Sequence, residues 1–183
     1  MRYASIDKCE CTNGPDWGVS LFTRGCVFKP HCSGCHNPEQ WKLDGGKKYT
    51  QETEEKILSL IDKSYIKRFS ILGGEPLLER NLSDLAELTG LIPADKDIWL
   101  YTGYTLEELK ERCAAEGNKC SNLFMILNNV NCIVDGRFEQ DKRNITLAFR
   151  GSSNQRIWHR VKQDFFDFPQ FEDVTASFDA GKY

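Results

Sequence analysis

The chain has 183 residues, 40% of them hydrophobic, with 24 Lys or Arg against 27 Asp or Glu and a net charge of −3. That length suits one domain around one core, and the apolar fraction excludes a disordered chain. The charge balance argues against a nucleic-acid partner, which calls for a basic excess, and no apolar run approaches the length of a membrane span.

The start, Met1 to Lys8 (MRYASIDK), lacks the apolar stretch of a secretory signal, so the chain reads as cytoplasmic. Gly18 to Phe22 (GVSLF) is a short β-prone run leading into Thr23-Arg24-Gly25-Cys26. The stretch from Cys26 to Trp41, rich in Cys, His, Pro and Gly, reads as a loop, and Asp44 to Lys48 as a second turn. A helix is predicted from about Gln51 to Asp62. Thr50 serves as its N-cap, glutamates fill the first turn, and Ile57, Leu60 and Ile61 share one face. Phe69 to Leu72 reads as a strand stopped by Gly73-Gly74-Glu75-Pro76, and Leu82 to Thr89 as an amphipathic helix. Asp97 to Tyr101 is a further strand candidate, followed by the turn Thr102-Gly103-Tyr104. Thr105 to Glu108 fits a capping box opening a helix that runs to about Glu116. Val130 to Val134 reads as another strand, ended by Asp135-Gly136. From Trp158 the tail is aromatic and acidic (Phe165, Phe166, Phe168 and Phe171 among Asp164, Asp167, Glu172 and Asp173), suited to packing on the core or on a partner.

Strands alternating with helices point to α/β architecture with parallel strands. Functional groups then gather at the C-terminal strand ends, where Cys26–Cys35, Gly73–Pro76, Thr102–Tyr104 and Asp135–Gly136 all fall.

The chain carries eight cysteines: Cys9, Cys11, Cys26, Cys32, Cys35, Cys113, Cys120 and Cys132. With no export signal and uneven spacing, close-set cysteines suggest metal or redox chemistry rather than disulfides. Cys26, Cys32 and Cys35 lie within ten positions. Three soft thiolates hold three irons of a cubane and leave the fourth open. The same three with His31 or His36 also make a four-ligand zinc set, and spacing alone does not separate the two. The other five cysteines read mostly as small buried apolar residues.

The ordered series Asn13-Gly14-Pro15, Thr23-Arg24-Gly25-Cys26, Cys32-Ser33-Gly34-Cys35-His36-Asn37-Pro38 and Gly73-Gly74-Glu75-Pro76 resembles the radical S-adenosylmethionine activases. Within them it is most similar to the family that activates anaerobic (class III) ribonucleoside-triphosphate reductase. The resemblance continues through Asp97–Tyr104, Val134–Phe138 and Arg150–Arg156, so it spans Met1 to about Arg156. It departs from the family pattern in three places. Five residues rather than three separate Cys26 from Cys32, Asp16 stands where glycine is usual, and His36 stands where tyrosine is common.

The resemblance implies a single domain folded as an open, incomplete (βα) barrel over residues 1–156, with 157–183 as a C-terminal extension. It implies a [4Fe-4S] cluster on Cys26, Cys32 and Cys35, with S-adenosylmethionine chelating the open iron. Gly73, Gly74 and Glu75 would receive the methionyl amino group, the Glu75 carboxylate pairing with the ammonium. His36 would stack on adenine, and Asn37, Tyr104 and Arg150 complete the implied cofactor contacts, with core packing the competing role for Tyr104 and for Trp99. Reductive cleavage would yield a 5′-deoxyadenosyl radical that takes hydrogen from a glycine of the reductase large subunit, with electrons from an external donor such as a flavodoxin. Two rival readings remain: a radical enzyme on another substrate, and a zinc-stabilised binding module without turnover.

Overall fold

Apolar alternation along the strands builds a sheet with two different faces. The computed structural model describes residues 1–115, 121–163 and 167–181. Its elements in chain order are β1 (Arg2–Glu10), β2 (Gly18–Thr23), β3 (Lys47–Lys48), α1 (Gln51–Ile61), β4 (Arg68–Gly73), α2 (Glu79–Leu91), β5 (Asp97–Tyr101), α3 (Leu106–Ala115), α4 (Asn122–Asn129), β6 (Cys132–Asp135), β7 (Arg156–Lys162), β8 (Gln170–Asp173) and α5 (Thr175–Asp179). The strands form one sheet in the order β3-β1-β2-β4-β5-β6-β7-β8.

The central four strands, β2, β4, β5 and β6, are parallel, and the pairings outside them are antiparallel. The parallel strands follow each other across the sheet without reversing, so their crossovers bring helices to one face. That progression curls a sheet toward a barrel instead of winding it in two directions. The linear order with edges at β3 and β8 leaves the barrel open.

Val19, Leu21, Phe69, Ile71, Ile98, Leu100 and Ile133 form the outer face and bury against Ile57, Ile61, Leu85, Leu88, Leu109, Leu123 and Leu127 of α1 to α4. Each such side chain contributes about 1.5–3 kcal/mol through burial. The alternate residues face inward in matched rows. Ser20 lies beside Ser70, Ser70 beside Trp99 and Trp99 beside Cys132; one step along, Phe22 lies beside Leu72 and Tyr101 beside Val134. Trp99, Cys132, Val134, Ile157 and Phe178 form a second, inner cluster.

The expected caps are present. The Thr50 hydroxyl accepts from Thr53 N–H at 3.4 Å, and Thr105 and Glu108 exchange the two bonds of a capping box at 2.8 and 3.2 Å. The helix predicted from Leu82 begins at Glu79. β1, α4, β7, β8 and α5 have no counterpart in the sequence analysis, and the end of the expected turn at Asp44–Lys48 pairs with β1 as β3. Glu116, Cys120, Asp164, Phe165 and Phe166 lie outside the described residues. The described part of 157–183 joins the same sheet through β7 and β8, and Phe178 enters the inner cluster. Among the described residues no helix is long and apolar enough to cross a membrane.

Candidate active site

A cavity of ≈ 460 Å³ opens along the inner face at the C-terminal ends of the parallel strands. Of the sequence-predicted residues, Cys26, Cys32, Cys35, His36, Asn37, Gly73, Gly74, Glu75 and Arg150 all line it. Tyr104 does not. Its ring lies edge-on to Phe28 at 4.8 Å, with the Arg112 guanidinium 4.5 Å from its centroid. Trp99, the other aromatic weighed for the pocket, packs in the inner cluster, and Tyr101, Thr102, Arg137, Phe138 and Phe149 line the wall. Strand alternation could have found Tyr101, which shares the inward parity of Trp99.

The cysteine loop hangs from a two-rung backbone ladder. Gly25 N–H donates to the Gln40 carbonyl at 2.8 Å and Cys26 N–H to the Trp41 carbonyl at 3.1 Å. This zips the two ends of the long loop together beside β2. Within it Val27, Lys29 and Pro30 are exposed, whereas Phe28 is buried at 7% exposure and packs on Gly103, under the Arg137 guanidinium at 4.1 Å. His31 stacks on Trp41 at 4.2 Å, and His36 tilts against Phe138 at 5.0 Å.

Cys26, Cys32 and Cys35 are partly exposed free thiols on this one cavity. Burial pushes the Cys26 and Cys32 thiols up, so their deprotonation depends on a cation arriving with its own charge. Among the described residues no three His, Cys, Asp or Glu side chains converge on a single-ion position. A cubane binds each thiolate through a different iron, so it requires thiols around a cavity rather than around one point. Cys9 and Cys11 are exposed, against the expectation of burial; Cys132 is buried, and Cys113 packs partly against the outer core.

Besides lining the cavity, the glycine pair pins two loops together. Gly74 N–H donates to the Thr23 carbonyl at 3.0 Å and Glu75 N–H to the Gly25 carbonyl at 2.7 Å, stitching the loop after β4 to the start of the cysteine loop. A Cβ on Gly74 would sit 2.1 Å from the Gly25 carbonyl oxygen. Gly73, at φ +113°, would press a Cβ on the Thr23 backbone.

Glu75 is 1% exposed, and its carboxylate is already engaged. Oε1 accepts from Leu77 N–H at 2.9 Å and Thr102 O–H at 2.8 Å, while Oε2 accepts from Gly103 N–H at 2.8 Å. Burial raises its pKa despite these donors. The carboxylate thus ties the loop after β4 to the loop after β5, where the sequence reading had it free for an ammonium.

Arg150 lines the same cavity. Phe149, in the left-handed region at φ 55°, packs edge-on to Trp99 at 5.6 Å and turns the chain there. Gln155 fixes the segment by accepting from Gly151 N–H at 3.0 Å and donating to the Gly136 carbonyl at 3.0 Å. The Arg150 side chain is 2% exposed; Nη2 donates to Asp179 at 2.7 Å, and Nε and Nη1 are buried without a partner among the described residues. Two unsatisfied donors on a buried cation are costly, and an anionic ligand in the cavity would relieve them. The buried Tyr101 hydroxyl on the same cavity also lacks a partner among the described residues.

Residues 12–158 match the family described as a 4Fe-4S single cluster domain. The chain is 38% identical over 164 residues to an anaerobic ribonucleoside-triphosphate reductase-activating protein of Salmonella typhi, covering 87% of this chain and 99% of that one. It is 39% identical over 165 residues to the protein of that name from Vibrio cholerae, covering 87% and 98%. The relative so named from Enterobacteria phage T4 is 35% identical over 161 residues, covering 86% and 94%. With the family matched over most of its length and Cys26, Cys32 and Cys35 gathered on one cavity, the chain belongs to the anaerobic ribonucleoside-triphosphate reductase-activating protein family of radical S-adenosylmethionine proteins.

Proposed function

We propose that the chain activates an anaerobic ribonucleoside-triphosphate reductase by generating a glycyl radical on its large subunit. The observation that carries this reading is one cavity bearing three cysteine thiols at one wall and a buried, half-unpartnered Arg150 at another. When bound, a [4Fe-4S] cluster with S-adenosylmethionine supplies a 5′-deoxyadenosyl radical able to take a hydrogen atom from a glycine. Cys26, Cys32 and Cys35 are the residues that would hold the cluster. The unpartnered Arg150 donors suit the carboxylate of the amino-acid end, and backbone of Gly73 and Gly74 borders its ammonium. Glu75 keeps those two glycines in place through Thr102 and Gly103 instead of meeting the ammonium itself. His36, Asn37 and Tyr101 border the adenosine side, while Tyr104 acts through Phe28, whose ring covers the cysteine loop from solvent. The electron comes from an external donor of the flavodoxin class. We read the protein as cytoplasmic, with neither nucleic acid nor membrane as partner.

The test is anaerobic iron–sulfur reconstitution, reduction, and chromatography of the products of S-adenosylmethionine. Methionine and 5′-deoxyadenosine in equal amounts are expected. A fully loaded, reduced sample that forms no deoxyadenosine would contradict the proposal, and a colourless protein holding one zinc would favour the binding-module reading.

A further inference from the structure

We infer that Asp179 is a positioning residue for Arg150, so that the C-terminal segment beyond the family match, which ends at residue 158, forms part of the cofactor site. The inference rests on the reading of Arg150 as partner of the cofactor carboxylate.

Arg150 has one hydrogen-bonding partner among the described residues, the Asp179 carboxylate at 2.7 Å. A guanidinium 2% exposed has few alternatives in water, so this bond decides how the plane of the group is held. Nη2 is tied to the carboxylate, and Nε and Nη1 are left to donate elsewhere. The Arg150 hydrogen bond, with its charge, in turn holds the Asp179 carboxyl below the usual range.

Asp179 is delivered by a held element rather than a loose tail. Val174 N–H donates to the Ile157 carbonyl at 2.9 Å, and Ile157 N–H donates to the Thr175 hydroxyl at 2.8 Å. Phe178 meets Trp99 edge-on at 5.6 Å and Phe149 at 5.7 Å. Phe149 and Phe178 are the chain neighbours of Arg150 and Asp179, so one aromatic cluster registers both charged groups. β7 carries α5 to the inner face, where Phe178 packs in the cluster of Trp99 and Phe149 and Asp179 reaches Arg150 on the cavity. The relatives above reach 94–99% of their own length within 86–87% of this chain, so this chain has residues to spare for such an addition.

The experiment measures dissociation constants of S-adenosylhomocysteine and 5′-methylthioadenosine on the full, cluster-loaded chain by anaerobic calorimetry. The first ligand has the amino-acid end and the second lacks it. Asp179→Asn is expected to weaken S-adenosylhomocysteine about three- to tenfold, between the effect of an exposed ion pair and that of a buried charged hydrogen bond. It leaves 5′-methylthioadenosine unchanged, and Asp179→Glu restores most of the loss. Arg150→Lys, which keeps charge but not the planar fork, weakens S-adenosylhomocysteine by more than tenfold, and adding Asp179→Asn to it costs nothing further. The inference is overturned if Asp179→Asn spares S-adenosylhomocysteine, weakens both ligands alike, or acts undiminished in the Arg150→Lys background. If Arg150→Lys itself leaves S-adenosylhomocysteine unaffected, the underlying assignment of Arg150 fails instead.

Discussion

Glu75 shows how a single carboxylate is committed before any ligand arrives. Three donors converge on its two oxygens. Glu75→Gln leaves one oxygen and one NH2 group. Thr102 can turn its hydroxyl to accept, but whichever way the amide sits, either Leu77 N–H or Gly103 N–H faces another donor. An unsatisfied buried donor costs about 1–3 kcal/mol, and in a chain of this size each kcal/mol lowers Tm by about 2–4 °C. Circular-dichroism melts should therefore show Glu75→Gln several degrees less stable even without cofactor; an unchanged Tm would mean that the carboxylate is not the tie between the two loops.

Glu10 makes the complementary case at the other end of β2. Burial alone raises its pKa, but the Ser20 hydroxyl, the Arg68 charge and the Thr12 hydrogen bonds outweigh it and bring the value down from 4.5 to about 2. Arg68, 1% exposed, donates to Glu10, to the Asn13 and Pro15 carbonyls and to Ser70. A depressed folded pKa stabilises above the unfolded value and loses that stability as pH falls toward 2. Urea denaturation of the cluster-free chain should fall more steeply from pH 5 to pH 3 than that of Glu10→Gln. Parallel profiles would exclude the pair from the acid response.

At the scale of elements, the cysteine loop accommodates its two extra residues by dividing them between solvent and core. Val27, Lys29 and Pro30 bulge outward while Phe28 turns in, and the backbone rungs from Gly25 and Cys26 hold the base closed. Loop length then matters less than where its ends are pinned. Replacing Cys26, Cys32 or Cys35 by Ala should abolish iron retention after reconstitution. Replacing Cys11, exposed just past β1, or His31, stacked on Trp41, should preserve it. Iron lost with His31 or Cys11 but kept without Cys26 would point to a rearranged site.

Elements with strong local chemistry were legible in the sequence. Thr50 and the Thr105–Glu108 box announced their helices, and β5 ran as read because Asp97 and the Thr102-Gly103 turn punctuate it. Others were not. β1 (RYASIDKCE) is mostly half-buried and mixes polar and apolar residues without a clean period, because it pairs antiparallel outside the buried parallel core. α4 (NLFMILNN) is a short apolar run that periodicity alone cannot assign. Among the predicted site residues, those at strand ends fell on the cavity because the parallel fold collects those ends. Tyr104 did not, since it sits past the turn and packs sideways on Phe28. The tie that Glu75 makes is not readable locally because two of its three donors, Thr102 and Gly103, come from a different strand-end loop.

Across the whole molecule, the parallel strands set the geometry and the antiparallel additions shape the cavity. β2, β4, β5 and β6 bring the cysteine loop, the glycine pair, Thr102–Gly103 and Arg137 to one end. From the other side of the opening come β7, α5 and the segment carrying Arg150, which close the inner face over Trp99. The sheet remains open, leaving a side through which a glycine-bearing segment of a large partner can approach the cavity. Electron paramagnetic resonance reads directly whether this opening serves a protein glycine. The reconstituted, reduced chain is mixed anaerobically with S-adenosylmethionine and the large subunit of a class III reductase. A doublet glycyl-radical signal on the reductase is predicted, absent when the target glycine is replaced by alanine. No doublet despite full release of 5′-deoxyadenosine, or a doublet that survives the glycine replacement, would contradict the account.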